Sequence, residues 1–345
     1  MIVESKSNMQ PLFYVLRLIF FIFYVIYVFL AIGLCDIIMM VTMPLILVNR
    51  QTYRKITNFL ATKGWPLIVF AFERIGRNRI IFTSDHDITI HNNHDPNERG
   101  NALVLLNHTY HCDWLLSFSF GERIGRIGNI KIAMKNAIKY VPLAGPGIWA
   151  MGFIFLSRKW QNDQKKINKA YQHLRDEQEP FWFVTHPEGS RLSETNLTEC
   201  HEFSNSRGLP LLHNVLVPRV KGFTSSVIAL REQLDYIYDL TVAYKKRPAS
   251  FFALFLGYNP TEVHVHIKKI PICELPTDET QIGDWLYDLY TSKDQLLKQF
   301  KLKGYFPNSR KLDLSFNYQK YYVNLVVWLL LVISMLVIFI KLFSF

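Results

Sequence analysis

Apolar positions crowd at the two ends of the chain and come in short, separated runs between them. Residues 12–34 are interrupted by a single charge, Arg17, and are rich in Phe, Ile, Val and Tyr. A helix needs about 20 mostly apolar residues to cross a bilayer core, so this stretch is long enough. Its length and its aromatic content favour a retained transmembrane helix over a secretory leader. Gly33 and Asp36 then break the pattern, and a second apolar run, residues 37–48, carries Pro44. That run is too short to span alone, which predicts a helix–break–helix hairpin or a short interfacial helix. At the other end, residues 321–342 hold no charge before Lys341 and carry Tyr321, Tyr322 and Trp328 near their start, which predicts a C-terminal transmembrane helix. The expected organisation is an N-terminal membrane anchor over 1–52, one domain over 53–320 and a membrane helix over 321–342.

Inside 53–320 the apolar runs 102–106, 181–184, 215–217 and 240–243 suit buried strands. Residues 263–270 alternate as Val-His-Val-His-Ile-Lys-Lys-Ile and read as a strand with one polar face. Residues 163–177, 224–236 and 284–298 read as helices. Strands mixed with helices predict an α/β fold, a mixed sheet flanked by helices. There is no internal repeat, no low-complexity tract and no linker long enough to divide the domain.

Composition narrows the class. Half of the 345 residues are hydrophobic, which excludes a disordered chain. The net charge of +11 suits nucleic acid, an anionic membrane surface or a phosphorylated substrate, and the apolar ends favour the membrane with no nucleic-acid partner. Arg50, Arg54 and Lys55 follow the first apolar region; Lys301, Lys303, Arg310, Lys311 and Lys320 precede the last. The positive-inside rule therefore places the domain on the cytosolic side. Cys35, Cys112, Cys200 and Cys273 are scattered, which supports neither a zinc site nor a disulfide framework and fits a reducing compartment. Asn107 and Asn196 each head a glycosylation tripeptide, but a glycan at Asn107 would crowd the chemistry described next, again favouring the cytosol.

Asn107-His108-Thr109-Tyr110-His111-Cys112-Asp113 leaves the strand-like 102–106 and enters a helical pattern at Trp114. Sites in α/β folds commonly lie on such a turn. A five-residue separation does not share a helix face, but a turn can set the Asp113 carboxylate against the His108 ring. The carboxylate would fix the tautomer, leaving the other ring nitrogen to deprotonate a substrate hydroxyl. No Gly-x-Ser-x-Gly elbow is present, so direct transfer to a hydroxyl fits better than hydrolase chemistry. Taken alone, His108 reads equally well as a cap or core histidine, and His111 as a polar helix start. His86, His91 and His94 sit among turn residues rather than in a metal pattern, and His264 and His266 read as one face of a strand.

Downstream, His186-Pro187-Glu188-Gly189-Ser190-Arg191 follows the apolar 181–184. Pro and Gly suit a tight turn that lets backbone approach a ligand. Arg191 offers a planar fork to a phosphate, with Glu188 able to orient it or to hold a substrate hydroxyl; taken alone, the segment reads as an ordinary surface turn with a solvated charge pair. Lys135 precedes an apolar, Gly- and Pro-containing stretch that can flank an acyl chain and ends at Arg158. Pro218 and Arg219 close a fourth segment, a second anionic contact or simply a strand end.

These four blocks, in this order, resemble the glycerolipid acyltransferase family, the 1-acylglycerol-3-phosphate acyltransferases and lysocardiolipin-type relatives. The likeness covers roughly residues 102–271: Asn-His-x4-Asp at Asn107, His108 and Asp113; Gly-x5-Arg at Gly152 and Arg158; Phe-Pro-Glu-Gly-Thr-Arg at 186–191; and apolar-Pro at Val217 and Pro218. It implies a glycerol-3-phosphate acyltransferase-like fold in a membrane enzyme, commonly of the endoplasmic reticulum. It implies His108 as general base, Asp113 as its partner, and Arg158, Glu188, Gly189 and Arg191 as binders of the acceptor. Acyl-CoA would be a co-substrate, a lysophospholipid the acceptor, and no metal or other cofactor is implied. His186 departs from the family's Phe and Ser190 from its Thr, while Arg191 is kept and points to lysophosphatidate. Another lysophospholipid, or a non-catalytic lipid-binding scaffold, are the alternatives.

Overall fold

A computed structural model describes residues 2–85, 100–142, 144–157, 160–176, 179–246 and 250–343. Its strands are β1 (Arg79–Ser84), β2 (Ala102–Leu106), β3 (Ile130–Lys135), β4 (Ile154–Leu156), β5 (Trp182–Thr185), β6 (Tyr236–Tyr244), β7 (Glu262–Pro271) and β8 (Arg310–Lys311). They form one mixed sheet in the order β4-β3-β5-β2-β6-β7-β1-β8. β4, β3, β5, β2 and β6 are mutually parallel, while β7 runs against β6 and pairs in parallel with β1. The carboxyl ends of five strands therefore line one edge.

The helices are α1 (Ile2–Thr42), α2 (Leu45–Val48), α3 (Arg50–Phe70), α4 (Trp114–Arg123), α5 (Gly145–Ala150), α6 (Trp160–Asp176), α7 (Glu194–Arg207), α8 (Val220–Leu230), α9 (Phe251–Leu256), α10 (Glu279–Lys303) and α11 (Tyr318–Phe343). They cover both faces of the sheet. Ala102, Val104 and Leu106 pack with α1, α3, α4 and α11; Leu103 and Leu105 pack with α6, α8 and α10. With both faces covered, all five residues of β2 are buried, as its unbroken apolar run predicts. Local signals set the limits of α10: the Asp278 side chain accepts from Thr280 N and Gln281 N, and Gly304 ends the helix at φ 76°.

Several expectations change. α1 does not break at Gly33–Asp36; it continues to Thr42, and the chain turns at Pro44. Asp36 is kept inside the helix because its carboxylate faces the domain and accepts from Gly147 N at 3.3 Å. Residues 215–217 are buried but form no ladder, because Leu216 N and Val217 N donate instead to Glu188 Oε2 and Cys200 Sγ. The helix expected over 224–236 stops at Leu230, and Tyr236 begins β6. The expected polar face of β7 is buried: His264 is 7% and His266 0% exposed, packed against Phe300 and Phe306.

The sequence pattern gave no hint of α3, whose interior contains Gly64 and Pro66. It joins the terminal helices in a three-helix sheaf on one face of the sheet. The Tyr24 hydroxyl donates to Leu67 O at 2.8 Å and lies 2.7 Å from Tyr321 Oη. Asn324 Nδ2 and Trp328 Nε1 both donate to Lys63 O, and Phe70 stacks on Tyr321 with centroids 4.0 Å apart. Among the described residues two helices are long and apolar enough to cross a membrane, over Tyr14–Thr42 and Tyr318–Ile338. Yet α1 touches the domain near both its ends. Arg17 donates to Ile75 O and Tyr14 meets Tyr258 edge-on, while Asp36 accepts from Gly147 about 30 Å further along the helix axis. The helix lies along the domain rather than projecting from it.

Candidate active site

Two turns meet at the carboxyl ends of β5, β2 and β6. Asn107 anchors the first: its Nδ2 donates to Val242 O and its Oδ1 accepts from Val242 N at 2.7 Å. This pins the end of β2 to β6 and buries the amide, so no glycan fits there in the folded chain. Asp113, fully buried, draws the following residues around itself. Its Oδ2 accepts from Thr109 N at 2.6 Å and Tyr110 N at 2.7 Å and lies 3.0 Å from His108 Nδ1. Its Oδ1 accepts from the Tyr244 hydroxyl at 2.6 Å. A carboxylate only accepts, so the contact assigns the proton to Nδ1 and leaves the Nε2 lone pair of His108 unused by Asp113. His108 keeps 20% of its side chain exposed, which suits a base that must meet substrate.

The second turn runs from His186, whose carbonyl accepts from Gly189 N at 2.9 Å. Gly189 sits at φ +68°, and a Cβ there would come within 2.8 Å of Arg219 Nε, so only glycine lets that guanidinium lie over the turn. Glu188 points inward. Its Oε1 accepts from His108 N at 2.7 Å and its Oε2 from Leu216 N at 2.9 Å. Burial pushes the Glu188 carboxyl up to about 8, opposed by those two N–H groups and by Lys293. With both oxygens engaged by backbone, Glu188 joins the two turns to the 215–217 segment and does not orient Arg191. Leu192 N donates to His108 O at 2.8 Å, so the His108 backbone is held on both sides. The exposed Arg191 instead places Nη1 2.7 Å from His111 Nδ1, linking the two motifs. Desolvation and the Arg191 guanidinium lower the His111 pKa, keeping a lone pair available to Arg191.

Behind both turns lies a charge that the sequence pattern did not single out. Lys293 of α10 is fully buried, 2.6 Å from Asp239 Oδ1, and donates to Leu240 O at 3.0 Å. The His186 ring stacks obliquely on His108 with centroids 4.5 Å apart. Burial, then the neighbouring His108 and Lys293, hold His186 well below the usual histidine range, so it stays neutral beside the base.

The acyltransferase family model matches residues 87–245, and the acyltransferase C-terminus model matches residues 253–328. "Probable 1-acyl-sn-glycerol-3-phosphate acyltransferase 5" of Arabidopsis thaliana is 34% identical over 271 residues, covering 79% of this chain and 70% of that protein. The chain belongs to this acyltransferase family. "1-acyl-sn-glycerol-3-phosphate acyltransferase delta" of Homo sapiens is 31% identical over 285 residues, covering 82% of this chain and 74% of that protein. The crystal structure of the 1-acyl-sn-glycerophosphate (LPA) acyltransferase PlsC from Thermotoga maritima superposes with a TM-score of 0.41 at 14% identity, covering 77% of this chain and 95% of that one. The C-terminus match carries the family likeness beyond residue 271, through α10 and into α11, and so includes Lys293.

Around the acyltransferase centre, Ser190 is half-buried in the second turn and the buried Pro218 presents Arg219, whose N donates to Pro187 O. Lys135 is exposed at the end of β3, on the same edge as His108 but two strands from β2, roughly 10 Å away. Arg158, His86, His91 and His94 lie outside the described residues. The part of Tyr244 was not foreseen: it closes β6, and only the pairing of β6 with β2 shows that its hydroxyl reaches Asp113.

Proposed function

We propose that this acyltransferase joins an acyl group from acyl-CoA to the free hydroxyl of lysophosphatidate at a membrane surface, giving phosphatidate. The observation that carries the reading is the His108–Asp113 pair, with the proton assigned to Nδ1 and Nε2 left to act. His108 Nε2 takes the acceptor's hydroxyl proton as that oxygen attacks the thioester carbonyl. The C–O ester bond forms, the C–S bond breaks, and the imidazolium returns its proton to the CoA thiolate. Asp113 stabilises the transient imidazolium. Glu188 acts through the backbone as a positioning residue. Arg191 and Arg219 flank the second turn and suit the acceptor phosphate. The names of the relatives support lysophosphatidate as acceptor. The basic residues around both apolar segments favour a cytosol-facing domain, and the likeness to the family suggests the endoplasmic reticulum as the membrane.

Thiol release from oleoyl-CoA by the detergent-solubilised protein, with lysophosphatidate and headgroup-bearing lysolipids in parallel, tests this. Release with lysophosphatidate alone is expected. Release only with a headgroup lysolipid replaces the acceptor but keeps the mechanism. A His108→Ala protein that folds and turns over at the parent rate would rule the mechanism out.

A further inference from the structure

Beyond the apolar helices, one exposed surface is too apolar to be left to water. The segment from Asn136 through α5 begins with a short 3-10 helix (Asn136–Tyr140) and shows Ile138, Tyr140, Val141 and Trp149 to solvent, Tyr140 at 72% and Trp149 at 53% exposure. It is tied to the first helices of the chain: Gly147 N donates to Asp36 of α1, and Arg54 Nη1 of α3 donates to Ala150 O at 2.8 Å. α2, the turn between α1 and α3, adds Leu47 at 90% and Val48 at 86%, and the end of α1 adds Ile37 and Val41. Basic residues border the patch. Lys139 Nζ lies 4.7 Å from the centre of the Tyr140 ring, and Lys135 is exposed where β3 ends. That end of β3 lies on the sheet edge that carries His108.

We propose that this lobe, residues 136–142 and 144–150 together with α2, is a second membrane-contacting surface that seats the catalytic edge on a bilayer containing anionic lipid. Its chemistry is that of an interface: Tyr and Trp rings with one apolar and one polar end, aliphatic side chains that gain by leaving water, and lysines that meet lipid phosphates. Continuity with the exposed flank of α1 favours lipid over a protein partner. The proposal rests on the membrane reading of the terminal helices, and it adds that the domain touches the bilayer through its own loop, beside the active site.

The full-length protein, reconstituted in phosphatidylcholine–phosphatidylserine nanodiscs with spin-labelled lipid, tests both. An environment-sensitive thiol label is placed by Tyr140→Cys, by Phe23→Cys on the exposed face of α1, and by Leu302→Cys on α10, each in a Cys273→Ser background. The label at 140 should lose fluorescence to within a factor of about two of the label at 23, while that at 302 is unaffected. Loss at 23 but none at 140 overturns the proposal and leaves the membrane helices standing. Loss at neither overturns both. A label at 140 shielded from aqueous iodide yet untouched by the lipid quencher would assign the surface to another protein, or to a second copy, and so overturn it as well.

Discussion

The Asp113 turn and the helix sheaf are both held by buried polar contacts, but over very different distances along the chain. At the edge, Asp113 gathers donors from three, four and five residues upstream, and Tyr244 is its single distant donor among the described residues. In the sheaf, Tyr24 and Tyr321 meet across 297 positions, and Trp328 reaches back 265 to Lys63. The Asp113 turn is thus a local motif, which Glu188 and Asn107 tie to partners 80 and 135 positions away. The sheaf exists only when the whole chain is in place. Damage at the edge should fall on chemistry with the fold intact, and damage in the sheaf on stability with the chemistry intact.

The sharpest break between the two is Asp113→Asn. An amide lacks the negative charge that stabilises the imidazolium, so kcat should fall by about 10³–10⁴ while the thermal transition moves little. A drop of less than tenfold would remove Asp113 from its place behind the base. Lys293→Met probes the support that the edge receives from the sheet face opposite the sheaf. It leaves Asp239 as an uncompensated buried charge, and unfolding in detergent should show a loss of about 3–5 kcal/mol, since breaking one side of a buried pair costs that much. A stable Met variant would mean that the ion pair contributes nothing net.

A smaller, pH-dependent effect is expected at Glu188. Its folded value of about 8 lies above the usual 4.5, so the folded chain binds the extra proton. That contribution is complete below about pH 4.5 and is lost as pH rises through about 8. Glu188→Gln cannot titrate, so its melting temperature relative to the parent should improve between pH 5 and pH 9; a constant difference would contradict the raised value. The smallest effect belongs to the sheaf. Tyr321→Phe removes one hydrogen-bonding hydroxyl and should cost about 1 kcal/mol with kcat unchanged. A large fall in kcat from so distant a change would erase the contrast between the regions.

This difference in reach also explains what could be read from the sequence. β2, the His108–Asp113 turn and the 186–191 turn were legible because strand, turn and helix signals lie within a few residues of one another. α3 was not, since Gly64 and Pro66 are helix-breaking residues, and only packing between α1 and α11, which donates to the Lys63 carbonyl, shows the helix running through them. Residues 215–217 carry a strand's apolar pattern, but Glu188 and Cys200 claim their N–H groups first. Lys293 sits in a plain helical pattern, and only the contact between α10 and β6 shows that it lies under the active site. His111 looked like a polar helix start because its partner, Arg191, is 80 residues away.

The pairing of Tyr24 with Tyr321 has a consequence in time. Ribosomes add about 5–20 residues per second, so some 15–60 s separate the synthesis of the first tyrosine from that of its partner. Throughout that interval α1 is complete, apolar and without α11. Whatever holds it, whether lipid or an insertion factor, must later release one flank of the helix, and so the last helix made governs when the first one settles.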